Sequence, residues 1–187
     1  MTDFLECCNR YAPLDKASAD GLCLGLKAKT YKKGEYILRE GEVCKYLYFL
    51  SKGLAKISFE KGDKEFIMRF FSGNVLFSVF ESFITQAPSP YRIVALEETT
   101  VMLISHRRME ELCKKHHDVE TLFRKVLSIV AIRMTKRISE MLEENATERY
   151  TQFVKEHHSI LQRISLGDLA SYLGITQQSL SRIRAKK

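Results

Sequence analysis

Residues 31–105 consist of short apolar runs rich in β-branched and aromatic residues, and glycine separates them at close intervals. The runs are YILRE, YLYFL, LAKISFE, KEFIMRFF, VLFSVF, YRIVALE and TTVMLIS. Runs of this length and composition are typical of β-strands, and glycine suits the turns between them. The segment therefore predicts seven or eight strands in a sandwich or barrel, with a hairpin at EKGDKE.

A helical pattern replaces the strand pattern in residues 119–145, where apolar side chains recur at steps of three and four. The pattern predicts one long amphipathic helix. A long helix between two modules often pairs with its own copy, so we expect a homodimer. The alternative is a helix that packs only on its own sheet. The residues expected at the dimer contact are Phe123, Leu127, Val130, Met134, Ile138 and Met141.

The stretch GDLASYLGITQQSLSRIR near the C-terminus predicts two short helices joined by a tight turn. Gly174 tolerates a positive φ in the turn, and the small side chain of Ala170 lets the helices approach closely. Thr176 suits the N-cap of the second helix. A further helix is predicted over residues 146–163. The aliphatic residues expected in the shared core are Leu169, Leu173, Ile175, Leu180 and Ile183.

The outer face of the second helix is polar and suited to reading DNA. Glutamine can bond adenine and arginine can bond guanine, each through two hydrogen bonds. The residues predicted to face outward are Gln177, Gln178, Ser181, Arg182 and Arg184. Residues 146–187 also hold 7 Lys and Arg against 3 Asp and Glu, and Lys186 and Lys187 are expected to meet phosphates. This basic segment indicates a polyanionic partner, double-stranded DNA.

The chain divides into three parts on these patterns: residues 1–118, 119–145 and 146–187. It has no run of eighteen apolar residues, and charges interrupt its first twenty, so we expect neither a membrane span nor a signal peptide. Five scattered cysteines make no disulfide framework and indicate a reducing compartment. A cytoplasmic protein is predicted.

Two stretches resemble the Crp/Fnr transcription regulators: KKGEYILREGEVCKYLYFLSKGLAKI, and RISLGDLASYLGITQQSLSRIR as in short Bacteroidetes members. The resemblance implies an α+β fold with an N-terminal double-stranded β-helix (jelly roll) of the cyclic-nucleotide-binding type. A long dimerisation helix and a C-terminal helix-turn-helix domain would follow. Since the sequence stops at Lys187, we expect little or no downstream wing.

The same resemblance implies a bacterial homodimer on a palindromic site, with recognition helices in major grooves about 34 Å apart. RNA polymerase is a further candidate partner. The implied base-contacting residues are Gln177, Gln178 and Arg182, to which the outward position of Ser181 is added. The phosphate-contacting residues would be Thr176, Ser179, Arg184, Lys186 and Lys187.

The sequence departs from the family where members bind cyclic AMP. Those members carry a Gly-Glu pair and a downstream Arg followed by Ser or Thr and Ala, whereas this chain has FE at 80–81 and SPY at 89–91. Without the arginine, a buried phosphate lacks its bidentate partner. Arg92 is nearby, but strand alternation predicts that it points to the opposite face. We therefore expect an effector other than cyclic AMP, with its identity open. The candidate pocket residues are Glu81, Ser82, Ser89, Tyr91 and Arg92.

The sequence predicts no metal, no cofactor and no enzymatic activity. Cys7, Cys8 and Cys23 lack the spacing of an iron–sulfur cluster, although reactive-thiol sensing stays open. Adjacent histidines on a helix point about 100° apart and bind one metal poorly. Residues 31–104 contain no histidine for a cupin-type metal site. The competing interpretation is a non-DNA regulatory module, with a degenerate nucleotide-binding β-roll and a helical tail that binds another protein.

Overall fold

The computed structural model of this protein describes residues 1–185, and eight strands within them form the β-rich domain that the sequence predicts. Strand β1, at residues 27–31, precedes the predicted runs. The strands are β1 (Lys27–Tyr31), β2 (Tyr36–Leu38), β3 (Tyr46–Lys52), β4 (Leu54–Lys61), β5 (Lys64–Ser72), β6 (Val75–Phe77), β7 (Arg92–Ala95) and β8 (Thr99–Ser105).

The strands form two four-stranded antiparallel sheets, with strand orders β1-β8-β3-β6 and β2-β7-β4-β5. The predicted hairpin joins β4 to β5, where Lys61 pairs with Lys64 and Gly62 has a φ of 61°. That positive φ is the conformation that glycine adopts without strain. The two sheets enclose the main hydrophobic core, which includes Tyr48, Phe49 and Phe77.

Helices precede and follow the β-domain in the chain, and one short helix lies between β6 and β7. They are α1 (Thr2–Tyr11), α2 (Lys16–Leu24), α3 (Phe80–Thr85), α4 (His106–Lys115), α5 (His117–Glu143), α6 (Ala146–Glu156), α7 (His158–Leu161), α8 (Leu166–Leu173) and α9 (Gln177–Ala185). The predicted long helix is α5, which spans 27 residues.

Two predictions from apolar runs differ from the structure. The run VLFSVF, read as one strand, stops at Phe77, and α3 begins at Phe80. Between them Ser78 is buried, where its hydroxyl donates to the Tyr46 carbonyl at 3.0 Å. The single helix predicted over 146–163 is interrupted at His157, whose φ of −125° and ψ of 30° are not helical.

The C-terminal helices have the predicted turn. Gly174 ends α8 with a φ of 69°, and a Cβ there would lie 2.9 Å from Met141 Cε. Thr176 caps α9, since its Oγ1 accepts from the Ser179 N–H at 3.1 Å. Ala170 is buried where the helices meet. The local geometry of the helix-turn-helix is therefore as the sequence indicates.

A second hydrophobic core joins these helices to the β-domain. It contains Leu54, Ile67 and Phe70 from β4 and β5 together with aliphatic and aromatic residues of α6 to α9. The ring centroids of Phe70 and Phe153 lie 6.1 Å apart, within the range of a favourable aromatic contact. The C-terminal helices therefore pack on one face of the β2-β7-β4-β5 sheet, which we call the outer face. The opposite, inner face contributes to the main core.

Candidate functional site

Helix α9 exposes the polar face that the sequence assigns to DNA. Leu180 is buried behind it, and Ile175 and Ile183 pack against the second core. This packing fixes which side of the helix faces solvent. The four predicted base-contacting residues are exposed: Gln177, Gln178, Ser181 and Arg182.

The predicted phosphate-contacting residues lie at two places. Thr176 and Ser179 are together at the start of α9, with their hydroxyl oxygens 3.0 Å apart. A helix N-terminus favours anions because its first N–H groups and the helix dipole point outward. Arg184 is exposed near the other end of the helix. Lys186 and Lys187 lie outside the described residues.

A charged contact holds α8 against the outer face of the sheet. Lys56 on β4 is buried, and its Nζ lies 2.6 Å from Asp168 Oδ1 and 2.7 Å from Glu65 Oε2. Arg163 adds two contacts, to Glu97 at 2.5 Å and to the Gly53 carbonyl at 3.0 Å. The C-terminal helices are thereby tied to the β-domain by ion pairs as well as by apolar packing.

Arg92 belongs to this outer face. Its guanidinium contacts Glu60 at 2.5 Å and Glu65 at 3.0 Å, and it donates to the Ser58 hydroxyl. Burial raises the pKa of Glu65, but hydrogen bonds from Lys56, Ser58 and Arg92 outweigh it, so the pKa lies below its usual value. Arg92 thus points away from the inner face, as strand alternation predicts.

A cavity of about 220 Å³ lies between the inner face of the same sheet and α5. Two of the five candidate effector residues line it, Glu81 and Tyr91. The other lining residues are Ile57, Met68, Arg69, Phe71, Val75, Leu76, Phe77, Ser78, Val79, Phe80, Val130, Arg133 and Met134. The cavity is therefore mostly apolar and carries two arginines.

Ser82 and Ser89 do not line this cavity. The Ser82 hydroxyl accepts from the Cys44 N–H and donates to the Ala87 carbonyl. The Ser89 hydroxyl accepts from the Tyr91 N–H and donates to the Tyr91 carbonyl. Both hydroxyls therefore hold loop backbone in place and are already hydrogen-bonded.

The sequence patterns did not single out the two arginines of the cavity. Arg69 is on β5, directly across from Ile57 of β4, and Arg133 is on α5. Burial lowers the pKa of Arg69, and the charge of Arg133 lowers it further. A signal was present, since Arg69 is the one charged residue in the run FIMRFF. An isolated cation in an apolar strand merits attention because burying a charge is costly.

The residues predicted for dimerisation divide between two environments. Phe123 packs on the β-domain, 6.1 Å from Phe83 between ring centroids, while Val130 and Met134 line the cavity. Towards the end of α5, Ile138 and Met141 are 57% and 42% exposed. The first half of the helix therefore packs on its own chain, and the second half presents apolar side chains to solvent.

None of the five cysteines lines the cavity or belongs to α9. Cys7, Cys8 and Cys44 are buried, and burial raises the pKa of Cys8 and brings that of Cys113 to about 11. A raised pKa keeps a thiol protonated and less nucleophilic. Residues 1–185 contain no group of three or more His, Cys, Asp or Glu placed to hold a metal ion. Across the same residues, none of the helices combines the length and apolarity needed to cross a membrane.

Comparison with known proteins places these features in context. Residues 28–116, slightly less than half of the chain, match the family model of the cyclic nucleotide-binding domain. No curated protein matches the sequence as a relative. The structure, however, resembles solved proteins over most of its length.

Three of these structures illustrate the likeness. The c-di-GMP-responsive global regulator CLP of Xanthomonas campestris is 16% identical with a TM-score of 0.74, covering 92% of this chain and 91% of that one. FixK2 from Bradyrhizobium japonicum is 21% identical with a TM-score of 0.74, covering 86% and 83%. A putative Crp/Fnr transcriptional regulator from Eubacterium rectale is 16% identical with a TM-score of 0.75, covering 93% and 85%. The likeness thus extends beyond the matched domain into the C-terminal helices.

Proposed function

Because this chain contains a cyclic nucleotide-binding domain and has the fold of Crp/Fnr transcription regulators, we propose that it is a sequence-specific DNA-binding transcription regulator. The observation that carries the proposal is the exposed polar face of α9, braced from behind by buried Leu180 and positioned by the turn at Gly174. In this proposal Gln177, Gln178, Ser181 and Arg182 contact base edges in the major groove. Such residues recognise adenine and guanine by paired hydrogen bonds.

The phosphate contacts come from both ends of α9. Thr176 and Ser179 at its start would bind backbone phosphate through hydroxyl and N–H groups, and Arg184 would add a charge contact. Lys186 and Lys187 extend this basic end in the sequence. Phosphate contacts set the register of the helix on the duplex, whereas base contacts set the sequence preference.

The proposed protein acts as a homodimer. Ile138 and Met141 leave an exposed apolar surface on the second half of α5, which a second copy would cover. Two-fold symmetry would then place the two α9 helices in major grooves about 34 Å apart on a palindromic site. The neighbouring structures are regulators, and a non-enzymatic role is proposed here as well.

Control by a signal at the β-roll completes the proposal. The cavity touches both the sheet and α5, so a ligand there would favour one position of the helix that connects to the DNA-reading module. Cyclic AMP is not the proposed effector, because Arg92 is already paired with Glu60 and Glu65 on the other face. A calorimetric titration that gave micromolar affinity for cyclic AMP would contradict this part.

Selection of bound duplexes from a random pool tests the DNA-binding function. We expect a palindromic consensus, with affinity that falls steeply as salt concentration rises. Arg182→Ala should cost about 1–3 kcal/mol at particular base pairs and relax the preference there. Arg184→Ala, on the same helix, is the matched control and should weaken all sequences alike. Failure to bind duplex DNA would favour a protein-binding tail instead, and an equal loss on every sequence for Arg182→Ala would contradict its base-reading role.

A further inference from the structure

The cavity between the inner face of the sheet and α5 is lined mostly by apolar side chains and by two arginines. Phe71, Phe77 and Phe80 are among its aromatic and aliphatic side chains, which favour an apolar occupant. Its volume of about 220 Å³ is below the ~300–1,000 Å³ common for drug-sized ligands. An occupant would therefore be small.

Two arginines line this apolar space, Arg69 partly buried and Arg133 exposed. Within residues 1–185, neither Arg69 nor Arg133 takes part in any salt bridge. The nearest cations on the same helix are neutralised: Lys136 contacts Glu156 at 2.6 Å and Arg137 contacts Glu140 at 3.4 Å. Glu140 and Glu156 are thus engaged by these two cations, and neither forms a salt bridge with Arg69 or Arg133.

This arrangement is electrostatically unfavourable. The charges of Arg69 and Arg133 repel each other, and the guanidinium of Arg69 is partly removed from water. The guanidinium also contacts the Phe71 ring, 5.6 Å from the centroid, and this cation–π contact compensates only part of the free-energy cost of desolvation. An anion between the two arginines would remove the repulsion and supply bidentate hydrogen-bond acceptors.

We propose that this cavity binds a small apolar acid, with its acidic group held by Arg69 and Arg133 and its apolar body against the aromatic wall. The proposal rests on the proposed function, since it names the class of effector for the regulator. The proposed ligand is smaller than a cyclic nucleotide, and it would be bound by Arg69 and Arg133. The ligand would bridge β5 and α5, because one arginine belongs to each element.

Glu81 further restricts the class of ligand. It is the one acidic residue among those that line the cavity, and it is exposed. A second negative group on the ligand near Glu81 would be repelled. We therefore expect a monoanion to be preferred over a dicarboxylate of similar size.

Calorimetric titration of the full chain without DNA tests this directly. The probes are benzoate and hexanoate, each compared with its neutral amide, benzamide or hexanamide, which has the same shape and no charge. Binding of at least one acid, with its amide at least tenfold weaker, is the expected result. Because no DNA is present, failure here is distinguishable from failure of the DNA-binding function.

Substitutions locate the acid. Arg69→Met and Arg133→Met should each weaken acid binding by about tenfold to a hundredfold, which is the effect of removing a charged hydrogen-bond partner. Arg124→Met on the same helix is the control and should leave binding unchanged, since Arg124 is exposed and outside the cavity. Circular dichroism and thermal unfolding of each ligand-free variant verify that it is folded.

Three results would overturn the proposal. They are an absence of binding by either acid, equal binding of acid and amide, and unchanged acid affinity in both folded arginine variants.

Discussion

The cations on the two faces of the β2-β7-β4-β5 sheet have different partners. On the outer face, Lys56 contacts Glu65 and Asp168, and Arg92 contacts the same Glu65 and Glu60. On the inner face, Arg69 has no carboxylate partner within residues 1–185. Cations that are paired with carboxylates indicate a structural contact within the protein. An unpaired cation beside a cavity is suited to bind an anionic ligand reversibly.

Removal of Lys56 should have the largest effect on the outer face. Lys56→Ala removes the buried cation that Glu65 and Asp168 share, and breaking a buried ion pair costs about 3–5 kcal/mol. Urea unfolding monitored by circular dichroism measures the loss. Lys52→Ala, which breaks an exposed pair with Glu98, is the control and should cost about 0–1 kcal/mol. Equal losses in the two variants would mean that the outer face is not held by its buried charge.

Substitution of Arg69 on the inner face should raise the free energy of unfolding, whereas Lys56→Ala lowers it. Arg69→Met removes a partly buried cation that repels Arg133, so the ligand-free protein should gain about 1 kcal/mol of unfolding free energy. The same urea titration measures it. A loss of stability comparable to that of Lys56→Ala would show that Arg69 has an unrecognised structural role and would remove the contrast between the faces.

The smallest expected effect is on the pH dependence of stability, through His157 at the junction of α6 and α7. His157 lies 4.8 Å from Phe153 between ring centroids, and burial lowers its pKa. The positive charges of Arg69 and Lys136 also lower it, while Glu156 and Glu140 act in the opposite direction.

Because the folded protein binds this proton less readily than the unfolded chain, stability should fall as pH drops below about 6.5. Urea midpoints at pH 7.5 and pH 5.5 test the expectation, and His157→Phe should reduce the difference between them. His117→Gln, at an exposed histidine, should leave the difference as in the unaltered protein. An unchanged difference in His157→Phe would assign the pH dependence to other groups.

Much of the fold was predictable because its signals are local. Glycine-separated apolar runs indicated the strands, and residues 119–145 indicated the long helix. Gly174 and Thr176 mark a turn and a cap that depend on residues only a few positions away. The break at His157 was missed, since helical periodicity continues across it.

The two candidate sites also differ in how far local sequence could predict them. The exposed face of α9 follows from which of its own residues are apolar, so the sequence was sufficient to identify Gln177, Gln178 and Arg182 as outward-facing. The cavity residues did not follow in this way, because β5 and α5 approach each other only in the folded chain. Family resemblance directed attention to Ser82, Ser89 and Arg92, whose side chains are engaged elsewhere.

The sequence alone therefore determined the order of modules, the turn before α9 and the polarity of its outer surface. Periodicity and turn chemistry act over a few residues, and that is enough to specify them. Only the tertiary structure decided which charges are paired. Lys56 contacts Asp168 across 112 positions of sequence, whereas Arg69 lines a cavity with Arg133 and forms no salt bridge with a carboxylate within residues 1–185. Electrostatic energy depends on distance in space and on burial, and neither quantity is encoded in local sequence spacing.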